Sequence, residues 1–137
     1  MGKIPPHSLE SEQSILGAMI IDKEAINTAI ENIKAEDFYK EANKEIFETI
    51  IELYNRNEPV DLITLSEELK RRNTLENVGG LTYLSNLSNG ISTTANTKYY
   101  CKIVEEKSVL RRLIKSCDEI MTKIFEDSEE VNRIIEM

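Results

Sequence analysis

From Ala95 to Phe125 the chain contains neither glycine nor proline, and apolar residues recur throughout the stretch. These two residues are the usual breakers of a helix, glycine through its backbone freedom and proline through its missing N–H and its clash with the preceding turn. Their absence predicts one continuous helix, about 45 Å long at 1.5 Å per residue. The roughly 95 residues before it should form a globule about 33 Å across by radius-of-gyration scaling. The far end of the helix must therefore project beyond the globule.

Along this helix Tyr100, Ile103, Leu110, Ile114, Cys117, Met121 and Ile124 follow alternating steps of three and four, and Lys107 fills the one slot that interrupts them. The pattern describes a narrow coiled-coil-like seam. Asp127-Ser128-Glu129-Glu130 reads as a turn with a new N-cap, after which Val131, Ile134 and Ile135 begin a second amphipathic helix that stops at Met137. The expected result is a helical hairpin whose second arm is too short to cover the seam, so that a partner surface is required. The abrupt ending, without a C-cap or polar tail, also suggests a fragment of a longer protein.

The segments before residue 95 read as helices too. Pro5 and Pro6 keep the first residues extended, Ser8 stands as an N-cap, and Glu10 and Glu12 favour the positive end of a helix from Leu9 to Ile21. A second helix is expected over Glu24 to Ile33, followed by Asp37-Phe38-Tyr39 as a packed connector. A third, from Asn43 to Tyr54, looks like the centre of the globule. Asp61 or Thr64 can cap a fourth helix through Arg72, and Thr64 with Glu67 has capping-box spacing. Gly79-Gly80 opens a fifth, which closes at Asn89-Gly90. With only five Gly and three Pro in 137 residues, the turns of an all-β protein are not available. The fold class is all-α: one structural domain over residues 1–137, with a helical head over 1–94 and the long helix plus the start of a second arm over 95–137.

The residues exclude more chemistry than they supply. His7 is the only histidine, and no second His or Cys stands near it at metal-ligand spacing, so neither a zinc site nor a positioned base is expected. Cys101 and Cys117 are too far apart on one helix for a disulfide and read as reduced helix-face residues of a cytoplasmic protein. No G-x-x-x-x-G-K-[ST] string occurs, so Gly79-Gly80 is a turn and not a phosphate loop. Glu41, Lys44, Glu45 and Glu48 read as a solvated face. A net charge of -8 opposes direct DNA binding. The longest apolar stretch, Ala18 to Ile21, is far too short to span a membrane. One basic stripe remains, Lys107, Arg111 and Lys115 with Arg112 beside it. It reads either as i to i+4 pairs with Glu105, Glu106 or Glu119, or as a contact with an acidic partner or nucleic acid. The candidate interface is accordingly Ile103, Leu110, Arg111, Ile114, Cys117, Met121 and Ile124.

Taken in order, several segments resemble the amino-terminal domain of the DnaB-type bacterial replicative helicases. They are Pro5-Pro6-His7-Ser8-Leu9-Glu10-Ser11-Glu12-Gln13-Ser14-Ile15-Leu16-Gly17, Asp37-Phe38-Tyr39, Ile46-Phe47 and Pro59-Val60-Asp61-Leu62-Ile63-Thr64-Leu65. Val78-Gly79-Gly80 with Tyr83-Leu84, Ala95-Asn96 with Tyr99, and Val104-Glu105-Glu106-Lys107 with Arg111-Arg112 complete the set. The resemblance covers residues 5 to 125 or so and rests on the order and spacing of the segments together. It implies a helical head followed by a helical hairpin, within a parent enzyme that is a hexameric ring hydrolysing ATP to unwind DNA at a replication fork. It further implies that such domains pair into a collar of dimers which stabilises the hexamer and recruits primase, with helicase loaders as further partners. The motor domain and its Walker motifs are outside this sequence. ATP and Mg are implied for that motor alone, and no cofactor is expected here. The alternative reading is an unrelated helical regulator that binds nucleic acid through the basic stripe.

Overall fold

The computed structural model describes residues 2–136. Six α-helices follow one another: α1 (Leu9–Ile21), α2 (Lys23–Asn32), α3 (Glu41–Asn55), α4 (Leu62–Arg71), α5 (Gly80–Asn89) and α6 (Thr97–Glu136). A 3-10 turn (Ala35–Asp37) joins α2 to α3. The described residues contain no strand, so the all-α expectation holds. No helix among them is long and apolar enough to cross a membrane.

Helix α1, rather than α3, is the centre of the head. It packs against α2, α3, α5 and α6, and Ile15, Leu16, Ala18, Met19 and Ile20 are all buried. The extra width of its apolar pattern is what a helix covered on most sides requires. Ile26 and Ala29 of α2, Ile46, Ile50 and Leu53 of α3, Leu65 and Leu69 of α4, and Leu84 of α5 close the core around it.

The caps set the angles between these helices. Ser8 accepts the Ser11 amide at the start of α1. Asp22 ends α1 and caps α2, accepting the Glu24 amide and, at 2.6 Å, the Thr94 hydroxyl from the loop that leads into α6. These donors hold the Asp22 carboxyl below its ordinary range. At α4 the capping box is Asp61 with Thr64 and not Thr64 with Glu67. Asp61 accepts the Thr64 amide while the Thr64 hydroxyl accepts the Asp61 amide. Asp61 is the residue in extended conformation, and an N-cap needs that geometry.

Lys40, before α3, has no side-chain cap. The acceptor comes from another helix. Glu12, only 1% exposed, accepts the amides of Tyr39 at 2.7 Å and Lys40 at 3.4 Å, and the Asn43 side-chain amide at 3.0 Å. The Asn43 oxygen in turn accepts the Tyr83 hydroxyl of α5. Glu12 is thus no solvated dipole partner of α1, as its position in the first turn suggests, but a buried cap that ties α1, α3 and α5 together.

Helices α3 and α4 are also joined by charge. Arg72 reaches Glu45 and Glu52, Arg56 reaches Glu52, Glu58 and Glu68, and Arg71 reaches Glu68. Glu45 is therefore part of this network and not of a solvated face. Glu68 accepts from Arg71 and then from Arg56, which hold its carboxyl down to about 2 from an ordinary 4.5. Because the folded-state value is depressed, the stabilisation is present above pH 4.5 and disappears as the pH falls toward 2. The melting temperature of the wild type is expected to fall across that window. Glu68→Gln should lower it at neutral pH and flatten the acid limb, as thermal melts followed by circular dichroism would show.

Candidate interaction surface

Helix α6 is 40 residues long, about 60 Å at 1.5 Å per residue, and only its first part belongs to the head. Thr97, Cys101, Val104 and Ser108 are buried there, at spacings of four, three and four. Tyr100 and Ile103, which the sequence pattern assigns to the seam, flank this face and are half-buried. Small and polar side chains line the true contact, because α6 lies close to α1 and α2. Burial pushes the Cys101 thiol up to about 12, so it is a packing residue.

From Arg112 onward every residue whose burial is described is exposed. Leu110, Leu113, Ile114, Ile120, Met121, Ile124, Phe125 and Val131 are all more than two-fifths exposed, and Cys117 is exposed among them. At 3.6 residues per turn these residues share one side of the helix, in a band roughly 140° wide. The middle of that band lies roughly 160° around the helix from the side that Thr97, Cys101, Val104 and Ser108 turn to the head. On the head-facing side polar residues take over, including Lys115, Glu119, Thr122 and Glu126. The apolar side of α6 thus moves about half a turn near Arg111. The distal arm keeps water on one side and presents a broad apolar stripe on the other, directed away from its own head.

Two expectations are corrected by α6. It runs unbroken through Asp127-Ser128-Glu129-Glu130 to Glu136, so no hairpin begins there. Asp and Ser disfavour a helix interior by only about 0.5 kcal/mol each, and no glycine or proline turns the chain. The residues expected to form a second arm, among them Val131 and Ile135, continue the same helix; Met137 and the side chain of Ile134 lie outside the described residues. The seam is also wider than the sequence pattern indicates. Of the expected interface residues, Leu110, Ile114, Cys117, Met121 and Ile124 share the stripe, Ile103 sits at the head's edge, and Arg111 turns inward. Leu113, Ile120, Phe125 and Val131 belong to the stripe and are missed by a strict three-four count, although their helical angles include them.

The basic stripe does not form as a unit. Arg111 Nη1 donates to the Pro6 carbonyl at 2.8 Å and Nη2 to the Asp37 carbonyl at 2.7 Å. Among the described residues the ion pairs lie on α3, on α4, in the loop between them and at Arg72 just past the end of α4, and none follows the expected pairing of Lys107 to Lys115 with Glu105, Glu106 or Glu119. His7 stacks on Tyr39, with ring centroids 4.2 Å apart, and so is a packing residue.

Residues 4–106 match the family model described as the DnaB-like helicase N terminal domain. The replicative DNA helicase DnaB of Geobacillus stearothermophilus is 42% identical over 98% of this chain and 30% of its own length, so the chain spans about a third of that relative. The crystal structure of the N-terminal domain of DnaB helicase from Mycobacterium tuberculosis superposes with a TM-score of 0.89 at 39% identity, covering 92% of this chain and 90% of that one. A DnaB-like replicative helicase, solved in a study of its interactions with primase, shares the fold at a TM-score of 0.74 and 23% identity, over 94% of this chain and 31% of that one.

Proposed function

Since this chain belongs to the DnaB-like helicase N-terminal domain family, we propose that it is a non-catalytic assembly module of a replicative DNA helicase, pairing with a second copy of itself. The observation that carries this reading is the apolar stripe of α6. A soluble domain rarely leaves so large a contiguous apolar surface to water, and this one points away from the only head within the chain. In a two-fold pair the same patch must complement itself, and the band from Leu110 to Phe125 has the breadth for a second helix to pack along it.

In this reading the collar formed by such pairs steadies a hexameric ring in the cytoplasm and offers primase a docking surface, with helicase loaders as further partners of the whole assembly. ATP, Mg and the unwinding of DNA belong to a motor domain outside this sequence. Primase docking is supported by family membership and by the likeness to a helicase whose interactions with primase have been studied. Direct DNA binding through Lys107 to Lys115 is disfavoured, because Arg111 is engaged with two carbonyls and the net charge is -8.

Sedimentation equilibrium tests the pairing. Ile114→Asp and Ile120→Asp each put a charge into the stripe and are expected to weaken self-association at least a hundredfold. Both residues are exposed in the single chain, so the melting temperature of the dissociated protein should stay within a few degrees of wild type. A wild type that remains monomeric at high micromolar concentration would sink the reading.

A further inference from the structure

Arg111 stands where the apolar side of α6 changes over, and it is the last residue of α6 held by the head. Three segments meet there. The leader supplies the Pro6 carbonyl and the connector supplies the Asp37 carbonyl, both accepting from the same guanidinium. The guanidinium carbon also lies 5.5 Å from the centroid of the Tyr39 ring, the ring on which His7 stacks nearly parallel, at 11°. His7 Nδ1 lies 2.7 Å from the Pro5 carbonyl oxygen and donates to it, which holds the leader in its turn.

One helical turn earlier, Ser108 donates to the Asp37 carboxylate at 2.8 Å in a fully buried contact, and the other carboxylate oxygen accepts the Lys34 amide. Asp37 therefore grips α6 twice, by its side chain through Ser108 and by its backbone through Arg111. A planar fork presents N–H groups on two separate nitrogens to the two carbonyls in a fixed geometry beside the aromatic ring, and lysine, a point charge on a flexible stem, does not fix the three segments in the same way.

The leverage at this point is large. The packed stretch from Thr97 to Ser108 is about 17 Å long, whereas the tip of the helix lies about 58 Å from Thr97. Lateral play at the end of the packed stretch is therefore multiplied about threefold at the tip. One more firm attachment, placed where the helix leaves the head, restricts the arm more than any contact nearer Thr97.

We propose that Arg111, with the leader from Pro5 to His7 fastened over it, is a positioning joint that sets the direction of the α6 arm. Residues outside the stripe then determine the geometry in which the stripe meets a second copy of the chain. This last consequence rests on the stripe being an interface; the joint itself does not.

Double electron–electron resonance reads the joint directly. Spin labels are placed at Glu48→Cys, exposed on α3, and at Glu126→Cys, on the side of α6 opposite the stripe, in a Cys117→Ser background. Cys101 is fully buried and takes no label. Labelled chain is diluted into excess unlabelled chain, so that only distances within one chain are measured. The Arg111 parent is expected to give one narrow distance distribution, and Arg111→Ala and Arg111→Lys to broaden it at least twofold. If Arg111→Ala does not fold, Arg111→Lys carries the test, with Tyr39→Leu as an independent lesion of the same joint. An unchanged width in the folded variants overturns the proposal.

Arg111→Lys made in the otherwise unaltered chain, with Cys117 and the rest of the stripe in place, is expected to self-associate about tenfold more weakly. Unchanged association beside a broadened distribution overturns the link from direction to pairing. A wild type that does not pair at all removes the interface reading, while the distance measurement still decides the joint.

Discussion

Glu12→Ala is expected to cost about 3–5 kcal/mol of folding stability, more than most single changes in a domain of this size. The carboxylate is 1% exposed and receives two backbone amides and one side-chain amide. Alanine would take the acceptor away from all three donors, the Asn43 amide among them in a fully buried contact, and each donor left unpaired costs about 1–3 kcal/mol. The start of α3 would also lose its only cap, since Lys40 provides none. The melting temperature should fall by roughly 10–20 °C. Glu12→Gln keeps the volume but turns an NH2 toward other donors, and about half the loss is expected. Urea denaturation measures both variants; a loss below about 1 kcal/mol for the alanine variant would show that the remote cap does not hold α3.

Gly17→Ala should destabilise the head by about 2–3 kcal/mol, against the ordinary sign of such a change. In a helix interior alanine normally gains about 1 kcal/mol over glycine, and Gly17 lies in the middle of α1. A methyl group there would sit 2.2 Å from the Leu87 carbonyl oxygen and 2.6 Å from the Ile91 side chain. Ile91 can rotate away, but Leu87 presents its backbone, so α5 would have to retreat by roughly 1 Å from the helix at the centre of the core. A variant as stable as wild type in the same urea titration would mean that the α1–α5 approach yields without cost.

The parts of the fold that were legible in the sequence are those governed by local rules. Ser8 marks the start of α1, the Gly79-Gly80 pair opens α5, and the stretch without glycine or proline becomes α6. What escaped depends on partners distant in the chain. Glu12 looks like a first-turn acid, and nothing near it reveals that Tyr39 and Asn43 will face it. Arg111 looks like one cation of a stripe, because backbone carbonyls, its actual partners, leave no trace in residue type. The inner side of α6 is built from Thr97, Cys101, Val104 and Ser108, where close packing selects small side chains, so an apolar count slides past it to Tyr100 and Ile103. The stripe itself was half visible: a single three-four series drawn through the whole helix averages two faces that belong to different halves. The turn placed at Asp127-Ser128 overvalued two weak helix formers in a region that has no breaker.

The unsupported length of α6 has a consequence for how the arm acquires its structure. A free peptide of that size must first close a turn of helix, a step disfavoured by a factor on the order of a thousand before any residue can be added to it. Here the head has closed that turn already: Thr97 to Ser108 are held as helix by burial, and each residue beyond Arg111 needs only to be added to an existing end. The head is thus the nucleus from which the arm propagates, and damage to the core would reach the stripe as lost helicity.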